Sequence, residues 1–197
     1  MMKGDGNTAV DAILHLIQQG SVGAEIGVWK GNSSFKFLSK SPKMLYLVDP
    51  YSLEGYSIPI ANKDKTFNYD KWLLKYGRMI GGSDPEDFES YYNNVYKSVV
   101  ERFEGHNNVT ICRMTSDKWL TQTSPETLDW IYIDADHSYS GVLNDLTKSL
   151  RVVKKEGLLL GDDYNSRPGV VQAVNEFVDK YQLNVEFYGI GQYCIRK

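Results

Sequence analysis

Cysteine is scarce in this chain: two in 197 residues, Cys112 and Cys194, each inside an apolar run. So sparse a set excludes a disulfide-stapled scaffold, and both thiols read as small core side chains of a protein from a reducing compartment. Long apolar runs are missing too. No stretch reaches the roughly 18 residues that a membrane-spanning helix needs, and Met1-Met2-Lys3-Gly4-Asp5-Gly6 leads into a polar-faced segment without the apolar region of a signal peptide. The expectation is a soluble, cytoplasmic protein with no membrane partner. Positive charge is not concentrated either: the net charge is -3, and the densest basic stretch, Arg151 to Lys155, reads as an ordinary helix end. Nucleic acid is therefore not an expected partner. Internal repeats and low-complexity tracts are also absent, so the chain is not built by repetition.

What is present is a 42% share of hydrophobic residues, enough for one sizeable core, and residues 1–197 read as a single α/β domain. Val10, Ile13, Leu14 and Ile17 fall at helical spacing and predict a helix over 7–19. Short apolar runs predict strands at 23–28, 44–48, 109–113, 128–133 and 157–160, with helical patterns at 34–38, 91–103, 140–153 and 170–181. Such alternation predicts a parallel sheet wrapped by helices. The last segment differs: 184–188 and 192–196, joined through Gly189-Ile190-Gly191, predict an antiparallel hairpin that closes the sheet. Residues 51–92 break the rhythm, being far longer than the usual connection, and read as an insertion.

Three local patterns carry chemistry. Glu25-Ile26-Gly27-Val28-Trp29-Lys30-Gly31-Asn32-Ser33 is an E-x-G-x-x-x-G turn between the first strand and a helix. Its glycines let the backbone approach a ligand at the carboxyl edge of a parallel sheet. The spacing is not the G-x-G-x-x-G that seats a pyrophosphate on a helix N-terminus, and Glu25 would repel a phosphate but suit a cationic amino group. Asp49 closes the second strand, where a carboxylate can accept ribose hydroxyls. Taken singly, such residues are also ordinary turn formers. The third pattern is a pair, I-D-A-D-H at 133–137 and G-D-D-Y at 161–164, each following a strand. Asp134, Asp162 and Asp163 would converge at the ends of neighbouring strands and repel one another without a cation. Hard oxygen ligands suit Mg²⁺, or Mn²⁺ or Ca²⁺, over zinc. The bland alternative for Asp162-Asp163 is an Asp-rich turn before a helix. His137 titrates near neutral pH and suits a general base, or else it caps the following helix or bridges to a carboxylate. His15 and His106 read as surface residues.

As a set, E-I-G-x-x-x-G, Asp49, I-D-A-D-H and G-D-D-Y resemble the class I S-adenosylmethionine-dependent methyltransferases. More narrowly they are similar to the metal-dependent small-molecule O-methyltransferases, related to the catechol, caffeoyl-CoA and macrolide-sugar enzymes. The likeness runs from Ala24 onward and leaves the insertion outside. It implies a Rossmann-like seven-stranded sheet, mostly parallel, with helices on both faces and an antiparallel C-terminal hairpin. It also implies that Glu25, Gly27, Trp29, Gly31 and Ser33 hold the methionine part of S-adenosyl-L-methionine, Asp49 the ribose, and Ser116 with Asp117 the adenine edge. Asp136 would reach the cofactor amino group. Asp134, Asp162 and Asp163 match the metal ligands, with Asp134 also a catalytic residue; several relatives carry Asp-Asn where this chain has Asp162-Asp163. His137 stands where catechol-type relatives carry a lysine base.

The insertion holds Tyr51, Tyr56, Phe67, Tyr69, Trp72, Tyr76, Phe88, Tyr91 and Tyr92 among charged residues. Such aromatics fit a lid or an acceptor-binding wall, and equally a satellite core or a homodimer contact. The expectation is a methyltransferase acting on a hydroxyl of a small molecule with a divalent metal. The alternatives are a metal-independent N- or O-methyltransferase and a non-catalytic cofactor-binding subunit.

Overall fold

The apolar runs pair into one sheet of seven strands in the order β3-β2-β1-β4-β5-β7-β6. In chain order these are β1 (Val22–Ile26), β2 (Met44–Val48), β3 (Val109–Cys112), β4 (Leu128–Ile133), β5 (Val153–Gly161), β6 (Val185–Tyr188) and β7 (Gln192–Arg196). The computed structural model describes residues 9–52, 77, 79–82 and 85–197. Strands β1 to β5 run parallel to one another, while β7 lies antiparallel to both β5 and β6. The expected hairpin is thus present, with its second strand placed inside its first.

Side chains alternate across a strand, so a sheet buried on both faces needs two apolar layers. In β4, Trp130 and Tyr132 enter one core, and Ile131 and Ile133 enter the other. On the first face lie α1 (Asn32–Leu38) and α2 (Pro85–Arg102), with Phe37, Phe88, Tyr92, Val95 and Val99 buried against the strands. On the second face lie α3 (Ser116–Gln122), α4 (Tyr139–Val152) and α5 (Pro168–Tyr181), which bury Trp119, Leu146, Val174 and Phe177. Both faces are covered, as the sequence pattern predicts. Among the described residues no helix is long and apolar enough to cross a membrane.

Three expectations about element bounds need correction, and three of the insertion's aromatics can be placed. The segment predicted as a helix over 7–19 instead forms two 3₁₀ turns, Ala9–Ala12 and Leu14–Leu16, closed by bonds from Ile13 N to Val10 O and from Leu16 N to Ile13 O. Its buried anchors Val10, Ile13 and Ile17 are β-branched and poor helix formers, and docking on the core decides their conformation. The helix expected from residue 91 starts at Pro85, so α2 takes up the end of the insertion. Tyr51, Phe88 and Tyr92 belong to the main core, whereas Tyr56, Phe67, Tyr69, Trp72 and Tyr76 lie outside the described residues. Finally, α4 ends at Val152, and Lys154 and Lys155 belong to β5, which begins at Val153.

Candidate active site

Strand β1 has β2 on one side and β4 on the other, and the chain leaves these neighbours toward opposite faces of the sheet. A crevice opens at their carboxyl ends, the place where ligands bind in folds of this type. Here it is a cleft of about 740 Å³, within the range for a small-molecule site. Its walls come from the loops after β1, β2, β3 and β4 and from the start of α4.

The loop after β1 is shaped by Gly27, whose φ of +87° is left-handed and whose hydrogen faces the carbonyl of Asp134 so closely that a methyl group could not fit. Gly31, also left-handed, caps α1 and faces Phe103 behind the cleft. Glu25, only 1% exposed, borders the cleft and accepts a short hydrogen bond from Ser34 Oγ at the start of α1. Burial, with some help from Asp134 and Asp49, pushes its carboxyl well above the usual range. Trp29 and Ser33 line the mouth; Trp29 adopts φ +46° and its indole N–H donates to Tyr91 Oη at 3.1 Å, tying the loop to α2.

Asp49 organises this loop. Its Oδ2 accepts from Val28 N at 3.0 Å and Trp29 N at 2.9 Å, and its Oδ1 from Tyr51 N at 2.7 Å. Burial raises its carboxyl, while those three amides pull the other way. A carboxylate has about four acceptor positions, so little of Asp49 remains open to a ribose in this conformation.

On the far wall, Ser116 opens α3 and Asp117 follows it. The Asp117 carboxylate turns toward solvent, bonded to Lys148 Nζ and to Asn144 Nδ2, which hold it below its usual value. Ser116 Oγ instead donates to Asp145 Oδ1 at 2.7 Å. Asp145 is 3% exposed and borders the cleft from α4, and burial pushes its carboxyl up to about 7. The sequence reading passed over Asp145. A carboxylate on the same helix face as the buried Val142, Leu146, Ser149 and Val152 was the signal that could have found it.

The acid cluster forms because β4 and β5 pair in register, Ile133 beside Gly161, so the residues that follow emerge together. Asp134, His137 and Asp163 each present a ligand atom, and these atoms lie within 4.8 Å of one another. Burial, then the charges of Asp162 and Asp163, push Asp134 up to about 7. Among the described residues no donor bonds its carboxylate. Asp163, in a left-handed conformation at φ +64°, lies 3.5 Å from His137 Nδ1 and 3.4 Å from Arg167 Nε. Its burial works upward, yet Ser166, His137 and Arg167 together keep it below the ordinary carboxylate value. Burial pushes the His137 imidazole down, and Arg167 adds to that, against the nearby acids. Asp162 is engaged elsewhere, accepting from Gln192 Nε2 at 2.6 Å and from Tyr132 Oη at 3.3 Å. Asp136 borders the cleft and takes the Ser138 N–H at 3.0 Å and hydroxyl at 2.8 Å, which closes the turn into α4.

A partly buried carboxylate that no described donor bonds, beside a second acid and an imidazole, fits a hard divalent cation such as Mg²⁺ or Mn²⁺. The cleft likewise fits a ligand carrying an ammonium and hydroxyl groups, since six acids, Glu25, Asp49, Asp117, Asp134, Asp136 and Asp145, line it beside several hydroxyl and amide side chains.

Comparison with known proteins bears on the cleft. A family model described as a methyltransferase domain matches residues 24–164. An uncharacterized protein of Acanthamoeba polyphaga mimivirus is 32% identical over 108 residues, 51% of this chain; the match spans about half the length of that relative, 49%. Among solved structures, the O-methyltransferase NovP superposes with a TM-score of 0.55 at 18% identity, over 95% of this chain and 76% of its own. A Streptococcus mutans protein solved with S-adenosylhomocysteine gives 0.57 at 15% identity over 95% and 94% of the two chains. Aeropyrum pernix fibrillarin, solved with S-adenosyl-L-methionine, gives 0.53 at 9% identity over 91% and 66%. At these identities the structural likenesses bear on the fold.

Proposed function

Because the chain belongs to the methyltransferase-domain family, we propose that it transfers a methyl group from S-adenosyl-L-methionine to a hydroxyl of a small molecule, with a divalent cation at the Asp134 cluster. The observation that carries this reading is the convergence of Asp134, His137 and Asp163 beside the cleft, with the Asp134 carboxylate lacking any donor among the described residues. Glu25 would face the cofactor ammonium, Asp49 the ribose, and Ser116 the base. Asp134 and Asp163 would hold Mg²⁺ or Mn²⁺, with either His137 or a reoriented Asp162 completing the set. Such a cation, when bound, lowers the pKa of a hydroxyl and fixes its direction.

His137 can serve as base or as ligand, and its geometry favours the first. Its Nδ1 faces Asp163 at 3.5 Å, so a carboxylate orients the ring and leaves Nε2 to accept the acceptor's proton. A His137→Ala variant that keeps metal affinity and loses about 10²- to 10⁴-fold in rate fits a base; one that loses the metal fits a ligand.

A screen of sugar, phenol and polyketide alcohols with S-adenosyl-L-methionine and Mg²⁺ tests the reading. Turnover should stop in EDTA and return with Mg²⁺ or Mn²⁺. One observation favours a second reading: Arg167 already supplies a positive charge to Asp163. Full activity in EDTA would establish that metal-independent alternative. Cofactor binding with no transfer to any acceptor would favour a non-catalytic subunit.

A further inference from the structure

The acid cluster already has a cation of its own. Arg167 lies four positions after Asp163, and its charge bears on Asp134, Asp163 and His137 alike. Its Nε stands 3.4 Å from Asp163 Oδ2, the same oxygen that His137 Nδ1 approaches at 3.5 Å, while Oδ1 accepts from Ser166 Oγ. Both approaches are long beside the roughly 2.7–2.9 Å of a seated charge-assisted bond, so the guanidinium is drawn to Asp163 without being fixed on it. The backbone beneath it is fixed: Arg167 N donates to Asp163 O at 3.0 Å, and Val171 N donates to Arg167 O at 3.1 Å at the start of α5. The side chain is 39% exposed. It can therefore turn into water while the loop and the helix stay as they are.

Oδ2 is the oxygen that faces the cluster, so a divalent cation held by Asp134 and Asp163 meets the guanidinium as a like charge at close range. One guanidinium offsets a single charge of the acids gathered here; a divalent cation offsets two. We propose that Arg167 is a displaceable counter-ion of the acid cluster, whose side chain leaves Asp163 for solvent when a divalent cation binds Asp134 and Asp163. This rests on the metal reading above. Arg167 thereby weakens the hold of the site on its cation and sets the concentration at which the site fills.

The test titrates the whole protein with Mn²⁺ alone at low ionic strength, following the free ion by electron paramagnetic resonance. Arg167→Gln should bind Mn²⁺ on the order of 10-fold more tightly than wild type, because a like charge beside the ion is gone. Arg167→Lys, which keeps the charge, should stay near wild type. In the wild-type protein, saturating Mg²⁺ should also speed the modification of Arg167 by phenylglyoxal, read by mass spectrometry. Arg151 serves as the unmoved control, since its guanidinium donates to the carbonyls of Leu120, Thr121 and Thr123. Equal or weaker Mn²⁺ binding in Arg167→Gln, or the same gain in Arg167→Lys, overturns the proposal; weaker binding would make Arg167 a residue that orients Asp163 for the metal. An unchanged rate of Arg167 modification in Mg²⁺ overturns it as well and needs no variant, so a poorly folding Arg167→Gln does not rescue it. Failure of wild type and both variants alike to bind Mn²⁺ refutes the metal reading, and the displacement falls with it.

Discussion

Asp145 should leave its mark on stability even without ligand. Its carboxyl stands at about 7 in the folded protein because burial disfavours the charge; Asp136 and Asp117 add to the effect, and Lys148 and the Ser116 hydroxyl oppose it. In the unfolded chain the same group titrates near 3.9. The folded state therefore holds the proton more tightly. The stability this contributes is complete below about pH 4 and disappears as pH rises through about 7. The gap corresponds to at most about 4 kcal/mol, a large part of the usual 5–15 kcal/mol of a domain. Asparagine has nearly the same shape and can still accept the Ser116 bond, but it cannot ionise. Urea unfolding at pH 4 should therefore give similar free energies for wild type and Asp145→Asn, whereas at pH 8 the variant should be more stable by about 2–4 kcal/mol. Asp134 also titrates near 7, but in both proteins, so it cancels in the difference. Parallel stability curves from pH 4 to pH 8 would refute the claim that the Asp145 charge is disfavoured by burial.

Other outcomes follow from single contacts. Asp49→Ala removes the acceptor of three backbone N–H groups, so it should cost about 1–3 kcal/mol in thermal or urea unfolding and abolish cofactor binding by calorimetry. Wild-type affinity in that variant would remove Asp49 from the ribose site. Gly27→Ala places a methyl group against the Asp134 carbonyl at a left-handed φ, and should lower the melting temperature as well as cofactor affinity; an unchanged melting curve would mean that the loop has room to relax. Phe177→Ala empties the centre of the second core and should destabilise by about 3–5 kcal/mol, with a smaller loss indicating collapse of the cavity.

The central strands were legible because each is a short apolar run buried on both faces, as Leu158, Leu159 and Leu160 show in β5. Helix α3 was not. In Ser116–Gln122 the only buried residues are the adjacent Trp119 and Leu120, too few to display a helical period, and the helix is marked instead by the Thr115 cap, whose hydroxyl accepts from Lys118 N. The first segment misled for the opposite reason: its apolar spacing satisfies a 3₁₀ turn as well as an α-helix. At the candidate site, the adjacency of Asp134 and the Asp162-Asp163 pair could be read from strand ends alone. Which way each carboxylate turns could not, because Tyr132 and Gln192 engage Asp162, and Arg167 meets Asp163, from segments distant in the chain or across a turn. The partnership of Ser116 with Asp145, 29 positions apart, was invisible for the same reason.

The position of β7 has a bearing on assembly order. It follows β6 in the chain, yet it lies between β5 and β6, and β6 has no other neighbour among the described strands. During synthesis β6 therefore waits unpaired, and the edge of β5 stays open, until residues 192–196 have left the ribosome. The same strand end supplies Gln192, which holds Asp162, and the neighbouring Gly191 carbonyl, which receives the Tyr164 N–H. The acid-bearing loop can thus take its final shape only after residues 191 and 192 have emerged.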